Sequence, residues 1–390
     1  MLRDQSGSET VIRAGAGVFF DTGQQLGTQG YGGPGFTGIA TYCPPPACTS
    51  PASFPLTLGQ ISPPIVNPPV PPVGYALGVD PHLQLPFTVQ WNASIEQALG
   101  ISQALTISYV GANGRRLLQF VGVSTPSISE VDYVRNGLTS DYNALQLQYQ
   151  RRLRHGLQAL ASYTWSHSID YGSQDIAVPY KRGDSDFDVR HNFSAAASYE
   201  VPNALQNSFA PVVLQHWALD GRFTARTGFP VTLNGPFFLD QGTGQYFYGG
   251  LDLVPGQPLY LFGSQCLQAP PAGYGNSCPG GRAINPNAFA LPPTGQFGDA
   301  PRNFVRGFGA WQMDLAVRRE FPIHERLKLQ FRAEAFNIFN HPNFGSIDSN
   351  YGDPTFGQAT ATLARSLGVL SPLYQQGGPR SMQFALKLIF

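Results

Sequence analysis

The ten residues Ser381–Phe390, "SMQFALKLIF", decide the fold. Met382, Phe384, Leu386, Leu388 and Phe390 fall on one side of a two-residue period, with Ser381, Gln383, Ala385, Lys387 and Ile389 on the other. A period of two is that of an extended strand with unlike faces. The chain ends at full hydrophobic strength inside such a strand. That makes sense only if the strand finds a neighbour on each side, because an apolar edge strand left open pairs with whatever it meets.

The same alternation recurs upstream. It is clear in "FTVQWNASIEQ" from Phe87, "QALTISYVG" from Gln103, "YNALQLQYQRR" from Tyr142, "HGLQALASYTWSHS" from His155, "HNFSAAASYEV" from His191, "HWALDGRFTAR" from His216, "WQMDLAVRRE" from Trp311 and "RLKLQFRAEAF" from Arg326, and weaker in "TVIRAGAGVFFD" from Thr10. These segments predict about ten antiparallel strands of roughly 10–13 residues. Soluble strands usually run about 5–6 residues, whereas a tilted membrane-crossing strand needs about 9–11.

The links between strands alternate in length. Those near Leu99–Ile101, Leu153–Arg154 and 321–325 are short and 202–214 is intermediate. Those at about 21–85, 112–141, 168–190, 231–310 and 341–378 are long. With the C-terminus on the periplasmic side, the short links all fall inside and the long ones all outside, as in transmembrane β-barrels. Aromatic residues fall at both strand ends, with Tyr149, Tyr199, Trp217 and Phe390 inside and Trp91, Tyr109, Trp165, Phe193, Trp311 and Phe339 outside, as interfacial girdles require. The fold expected is an all-β, antiparallel transmembrane barrel, a single domain over 1–390 and part of a larger barrel.

Composition agrees. Of 390 residues only 12% are charged and 42% hydrophobic, and 44 Gly with 34 Pro make a fifth of the chain. No run approaches the ~20 apolar residues of a membrane helix. The formal net charge is zero, which gives nucleic acid nothing to attract. Arg222, Arg318, Lys328, Arg332 and Lys387 all share the polar phase of their strands, as does Glu334. An Arg or Lys at the bilayer midplane costs about 2–4 kcal/mol, so this phase is expected to face a wet lumen. A soluble sheet with one wet face, or a β-sandwich, would also accept them.

Three stretches then carry a family resemblance: "YNALQLQYQRRLRHGLQALASYTWSHSID" from Tyr142, "DFDVRHNFSAAASYEVP" from Asp186 and "LKLQFRAEAFNIFNHPNFG" from Leu327. In order, they resemble the C-terminal barrel of Oar-like TonB-dependent receptors, abundant in Acidobacteria and often preceded by a carboxypeptidase-regulatory-like domain. The resemblance runs from about Thr10 to Phe390. It implies a bacterial outer-membrane location, uptake of a bulky ligand energised through TonB, no enzymatic activity, and a terminal Phe390 read by the barrel assembly machinery. Such receptors close with 22 strands. Neither a plug nor a TonB box is legible here, and "LRDQSGSET" after Met1 has no apolar signal-peptide core. The expectation is therefore the C-terminal part of a larger receptor, whose N-terminal plug and TonB would be partners alongside outer-membrane lipid. A surface adhesin-like or secreted β-rich binding protein is the alternative.

Other candidate chemistry is sparse. Cys43/Cys48 in "CPPPAC" and Cys266/Cys278 are two local pairs in long links. Without histidines at zinc spacing they are expected as disulfides, with free thiols or cross-pairing as alternatives. Asp184, Asp186 and Asp188 in "GDSDFD" have the alternate spacing of a calcium loop but lack its glutamate and turn glycine; a solvated lead-in to a strand is the plainer reading. Ser166, His167 and Asp170 in "WSHSID" are triad residue types, but triads are made by geometry rather than by proximity in sequence. No cofactor site is expected.

Overall fold

The computed structural model describes residues 8–21, 55–62, 73–123, 125–171, 181–201, 216–235, 237–240, 245–267, 278–324, 327–363 and 377–390. Ten strands form one continuous path: β1 (Thr10–Phe20), β2 (Phe87–Ala98), β3 (Gln103–Val123), β4 (Ile128–Arg154), β5 (Leu157–Asp170), β6 (His191–Glu200), β7 (Trp217–Arg226), β8 (Ala310–Pro322), β9 (Lys328–Phe336) and β10 (Ser381–Ile389). Each pairs antiparallel with its neighbour in sequence. They are the ten strands that the alternation predicts. Among the described residues, β1 pairs only with β2 and β10 only with β9, so the path has two free edges. Among the described residues no helix is long and apolar enough to cross a membrane.

Register turns ten alternating segments into one two-faced sheet. A slip of one residue would move every side chain of a strand to the other face. Here Ile12 lies opposite Ile95, Ile95 opposite Ile107 and Ile107 opposite Leu147. Across the middle, Leu147 meets Tyr163, Tyr163 meets Phe193, Phe193 meets Ala225 and Ala225 meets Trp311. At the far edge Ala333 meets Phe384. The apolar phase thus runs unbroken from edge to edge. It is bare: Phe384 and Leu386 are 71% and 70% exposed, and Ile12, Leu219 and Val317 are exposed with them. A sandwich would bury this face against a second sheet, so its exposure selects a sheet whose apolar face is solvated by lipid.

The inner turns are tight. Between β4 and β5, His155 and Gly156 both have positive φ, 52° and 78°, the signature of a two-residue type I′ hairpin. A side chain at Gly156 would also strike the Glu200 carbonyl at 2.2 Å.

The outer side departs from simple loops. β3 and β4 run 21 and 27 residues, more than twice what a crossing needs, so residues 112–141, expected as a loop, are largely a paired hairpin extending past the sheet. Val73–Val79 lies along it in parallel with Ile128–Val134, a departure from the antiparallel rule. Leu77 and Val134 are buried there against Leu83 and Leu118. Within 231–310 and 341–378, short strand pairs (Pro230–Val231 with Val305–Arg306, Asp252–Leu253 with Phe289–Ala290, Tyr260–Phe262 with Arg282–Ile284) assemble a folded unit. It has its own core of Leu251, Ile284, Ala288, Phe289, Val305 and Phe356. Tyr351 packs edge-on to Phe356 and donates its hydroxyl to the Phe289 carbonyl at 2.9 Å. A Cys266–Cys278 disulfide ties this unit, as expected; Cys43 and Cys48 lie outside the described residues.

Candidate functional site

The predicted polar residues meet on the face opposite the apolar one. Arg222 on β7, Arg318 on β8, and Lys328, Arg332 and Glu334 on β9 all share it, because β7, β8 and β9 pair without a register slip. Arg318 contacts Glu200 at 3.0 Å and Asp220 at 3.4 Å, and Arg332 contacts Asp220 at 3.0 Å and Glu334 at 2.7 Å. Ser198 adds a hydrogen bond to Asp220 at 2.6 Å. Lys328 reaches Glu320 at 3.4 Å, and Gln330 donates to the same carboxylate at 3.1 Å. Cross-strand opposite charges are the favourable arrangement on a sheet face. Alternating signs over four strands keep this inner half close to neutral.

Toward the outer end the face changes character. A cavity of about 340 Å³ is lined by Asn192, Ser194, Arg222, Thr224, Gln312 and Asn343 among others. Asn343 comes from the outer segment and is fixed by accepting from the Trp311 backbone N–H at 2.9 Å. Amides, hydroxyls and the two guanidinium groups of Arg222 and Arg226 converging here can hold a polar ligand carrying negative charge or acceptor oxygens. Periodicity located Arg222 but not Asn343, which is 121 residues away in sequence.

The three aspartates lie at the outer end of β5, and they are not a solvated lead-in. Asp188 is fully buried and Asp184 and Asp186 only partly exposed. Asp188 accepts from the Ser168 N–H at 2.6 Å and from Arg306 Nη2 at 2.5 Å, with Arg190 Nε at 3.1 Å. Asp184 also pairs with Arg306. Asp186 accepts from Arg302 at 2.8 Å and Asn303 at 2.5 Å, and Arg302 reaches Asp170 at 2.6 Å. His167, Asp184 and Asp188 bring ligand atoms within 4.8 Å of one another, but guanidinium groups already take these carboxylates. The cluster joins the sheet to the outer unit through Arg302 and Arg306, partners that lie over 100 residues downstream. Ser166, His167 and Asp170 do not form a triad: Ser166 donates to the Val189 carbonyl at 2.7 Å, His167 faces Asp188 and Asp170 faces Arg302.

Burial pushes the Asp188 carboxyl up, but the hydrogen bonds from Arg306, the Ser168 N–H and His167 outweigh it and hold the group below its usual value of 3.8. A carboxyl depressed in the folded state stabilises above its unfolded pKa and loses that stabilisation as pH falls through the folded one. The clamp is therefore expected to stay closed from neutrality to about pH 4 and to open only below 3.8. Pepsin digestion of the embedded protein at stepped pH should show cleavage within 279–306 only in the acid limb. Cleavage already at pH 5 would contradict the clamp.

Sequence comparison matches the outer membrane beta barrel domain over residues 4–383. The chain belongs to that family. The outer membrane is accordingly its location, and the bare apolar face of the sheet is what contacts lipid. No curated relative matches the barrel in sequence. In structure the barrel is similar to the pyoverdine outer membrane receptor FpvA from Pseudomonas aeruginosa PAO1, at 12% identity and a TM-score of 0.40, over 78% of this chain and 30% of that one. It is also similar to the ferric-catecholate import receptor Fiu from Escherichia coli K12, at 10% identity and 0.39, over 78% of this chain and 27% of that one. The outer membrane transporter YddB from Escherichia coli matches at 7% and 0.39, over 79% and 33%. The chain spans at most 33% of the length of these three proteins.

Proposed function

We propose that this barrel segment is the C-terminal part of an Oar-like TonB-dependent receptor and takes up a bulky polar ligand through a lumen lined by its polar face. The observation that carries the reading is the convergence of Arg222, Thr224, Gln312, Asn192 and Asn343 on one cavity at the outer end of that face. Below it the charges of Glu200, Asp220, Arg318, Arg332 and Glu334 are mutually compensated. A ligand would meet the polar groups of this cavity first and a neutralised passage next. The two free sheet edges support further strands supplied by the rest of the receptor, because an edge in lipid leaves backbone groups unsatisfied at several kcal/mol each. On this reading a plug and TonB are partners, and Phe390, which is 90% exposed, is presented to the barrel assembly machinery.

The test is solute depletion. Cells carrying the full-length receptor, a deletion and an Arg222→Glu variant are grown in the same complex medium, and spent media are compared by mass spectrometry. The reading expects at least one solute depleted by the wild type alone, with depletion abolished by a protonophore and reduced at least tenfold by Arg222→Glu. Identical spent media from wild type and deletion would overturn it.

A further inference from the structure

The geometry points to an acidic glycan as the ligand: a hydroxyl-rich sugar chain with single, spaced carboxylates, held by Arg222 and Arg226 in the outer cavity. The inference rests on the uptake reading above and narrows it to a substrate class. One wall of the cavity is a ladder on two adjacent strands. Asn192, Ser194 and Ala196 of β6 stand opposite Arg226, Thr224 and Arg222 of β7, all on the polar phase. All of them except Ala196 line the cavity. The ladder therefore runs charge, hydroxyl, charge. Arg222 and Arg226 are four residues apart on one strand, about 13 Å at about 3.3 Å per residue.

Which groups are already spent decides what a ligand meets. Gln312 accepts from the Gly377 N–H at 2.8 Å and donates to Asp314 at 2.7 Å. Asn343 exchanges hydrogen bonds with the Trp311 backbone at 2.9 and 3.1 Å. These two amides pin the outer segment over the cavity and have little left to offer. The side chains of Asn192, Ser194, Thr224 and Arg222 make no hydrogen bond or ion pair among the described residues. Neither guanidinium has a carboxylate partner there. Arg226 donates to the Thr227 carbonyl at 3.2 Å and lies over the Phe229 ring at 4.2 Å. Asp314 stands opposite Arg222 in the register but is held by Gln312 and by the Asn337 N–H at 2.9 Å. Deeper on the same face, Arg318 and Arg332 face two carboxylates each. Positive charge is thus left unbalanced at the cavity alone. An uncharged row separates the two guanidinium groups, so each offers one charge and a planar fork to one acceptor, which is the demand of a carboxylate. Ser194, Thr224 and Asn192 both donate and accept, as sugar hydroxyls do. No aromatic residue of the polar phase lines the cavity, so an aryl-bearing ligand finds no ring to stack on. An acidic peptide supplies the charge but not the hydroxyls between. At about 340 Å³ the cavity is at the small end of ligand sites, which suits one segment of a longer chain.

The experiment applies the purified full-length receptor to an array of matched neutral and uronate-bearing oligosaccharides, followed by titration calorimetry with the glycan retained best. Retention confined to uronate-bearing members is expected, at least tenfold above their neutral counterparts. Arg222→Gln and Arg226→Gln should each weaken calorimetric binding at least tenfold. Ala196→Asp, which sets a carboxylate opposite Arg222 without removing any group of the wall, should do the same. Triglutamate in tenfold excess should leave the glycan bound. An unchanged heat-modifiable gel shift will identify the variants that fold. No retention, equal retention of neutral members, displacement by triglutamate, or unchanged affinity in the folded variants would overturn the inference. Its failure is separable from that of the uptake reading. Energised solute depletion with no uronate-bearing glycan retained removes the substrate class alone, whereas identical spent media from wild type and deletion remove uptake and leave the array result standing.

Discussion

Leu147→Arg will block stable membrane insertion, whereas Gln148→Arg, one residue on, will leave it nearly unchanged. Leu147 sits mid-strand between Ile107 and Tyr163 on the apolar face, and Gln148 sits between Thr106 and Ser162 on the polar one. An arginine on the lipid face near the midplane costs about 2–4 kcal/mol, which is roughly a 30- to 1,000-fold shift in the folding equilibrium. On the polar face the same side chain stays in water beside amides and hydroxyls, at a cost within ~0.5 kcal/mol. Urea titration of the full-length receptor in vesicles, read by heat-modifiable migration, measures both. Similar midpoints for the two variants would show that the two faces are not lipid and lumen. The comparison controls for charge and size, since only phase differs.

Arg306→Met should release the outer unit from the barrel. The substitution leaves Asp188 fully buried without its shortest guanidinium contact and removes the closest partner of Asp184. Breaking a buried ion pair from one side costs about 3–5 kcal/mol where the remaining charge is stranded, and here that is an upper bound because Arg190 still faces Asp188 at 3.1 Å. The loss is local, since the ten-strand register does not pass through Arg306. Trypsin added to intact cells should cut within 279–306 at least tenfold faster than in wild type, while the barrel band keeps its gel mobility. Adding Asp188→Asn to Arg306→Met should restore part of the protection, because an amide tolerates burial better than a carboxylate left with Arg190, His167 and the Ser168 N–H alone. Wild-type resistance in the single variant would mean that the core around Phe289 and Phe356 holds the unit unaided.

The two results bear on different levels of the structure. The first concerns the sheet, which was legible from sequence: a two-residue period needs only its own segment to say which residues share a face, and ten segments said it independently. Link lengths added the inside and the outside, because a tight inner turn such as His155–Gly156 has no room for more residues. Arg222, Arg318, Lys328, Arg332 and Glu334 were placed on one face for the same reason.

What tertiary structure alone decided is everything that joins distant segments. Alternation does not distinguish an apolar face solvated by lipid from one packed on a second sheet; the bareness of Phe384 and Leu386 in a continuous register does. Asp188 looked solvated because its neighbours in sequence are polar, and it is buried because Arg306 arrives from over 100 residues away. The long links looked irregular because their apolar residues are scattered over many short strands. They fold because Leu251, Ile284, Phe289, Val305 and Phe356 collect into one core, and no local period records a contact of that range. A strand's facing is a property of its backbone geometry and can be read within ten residues. A clamp, a cavity or a core is a property of pairs that only the folded chain brings together.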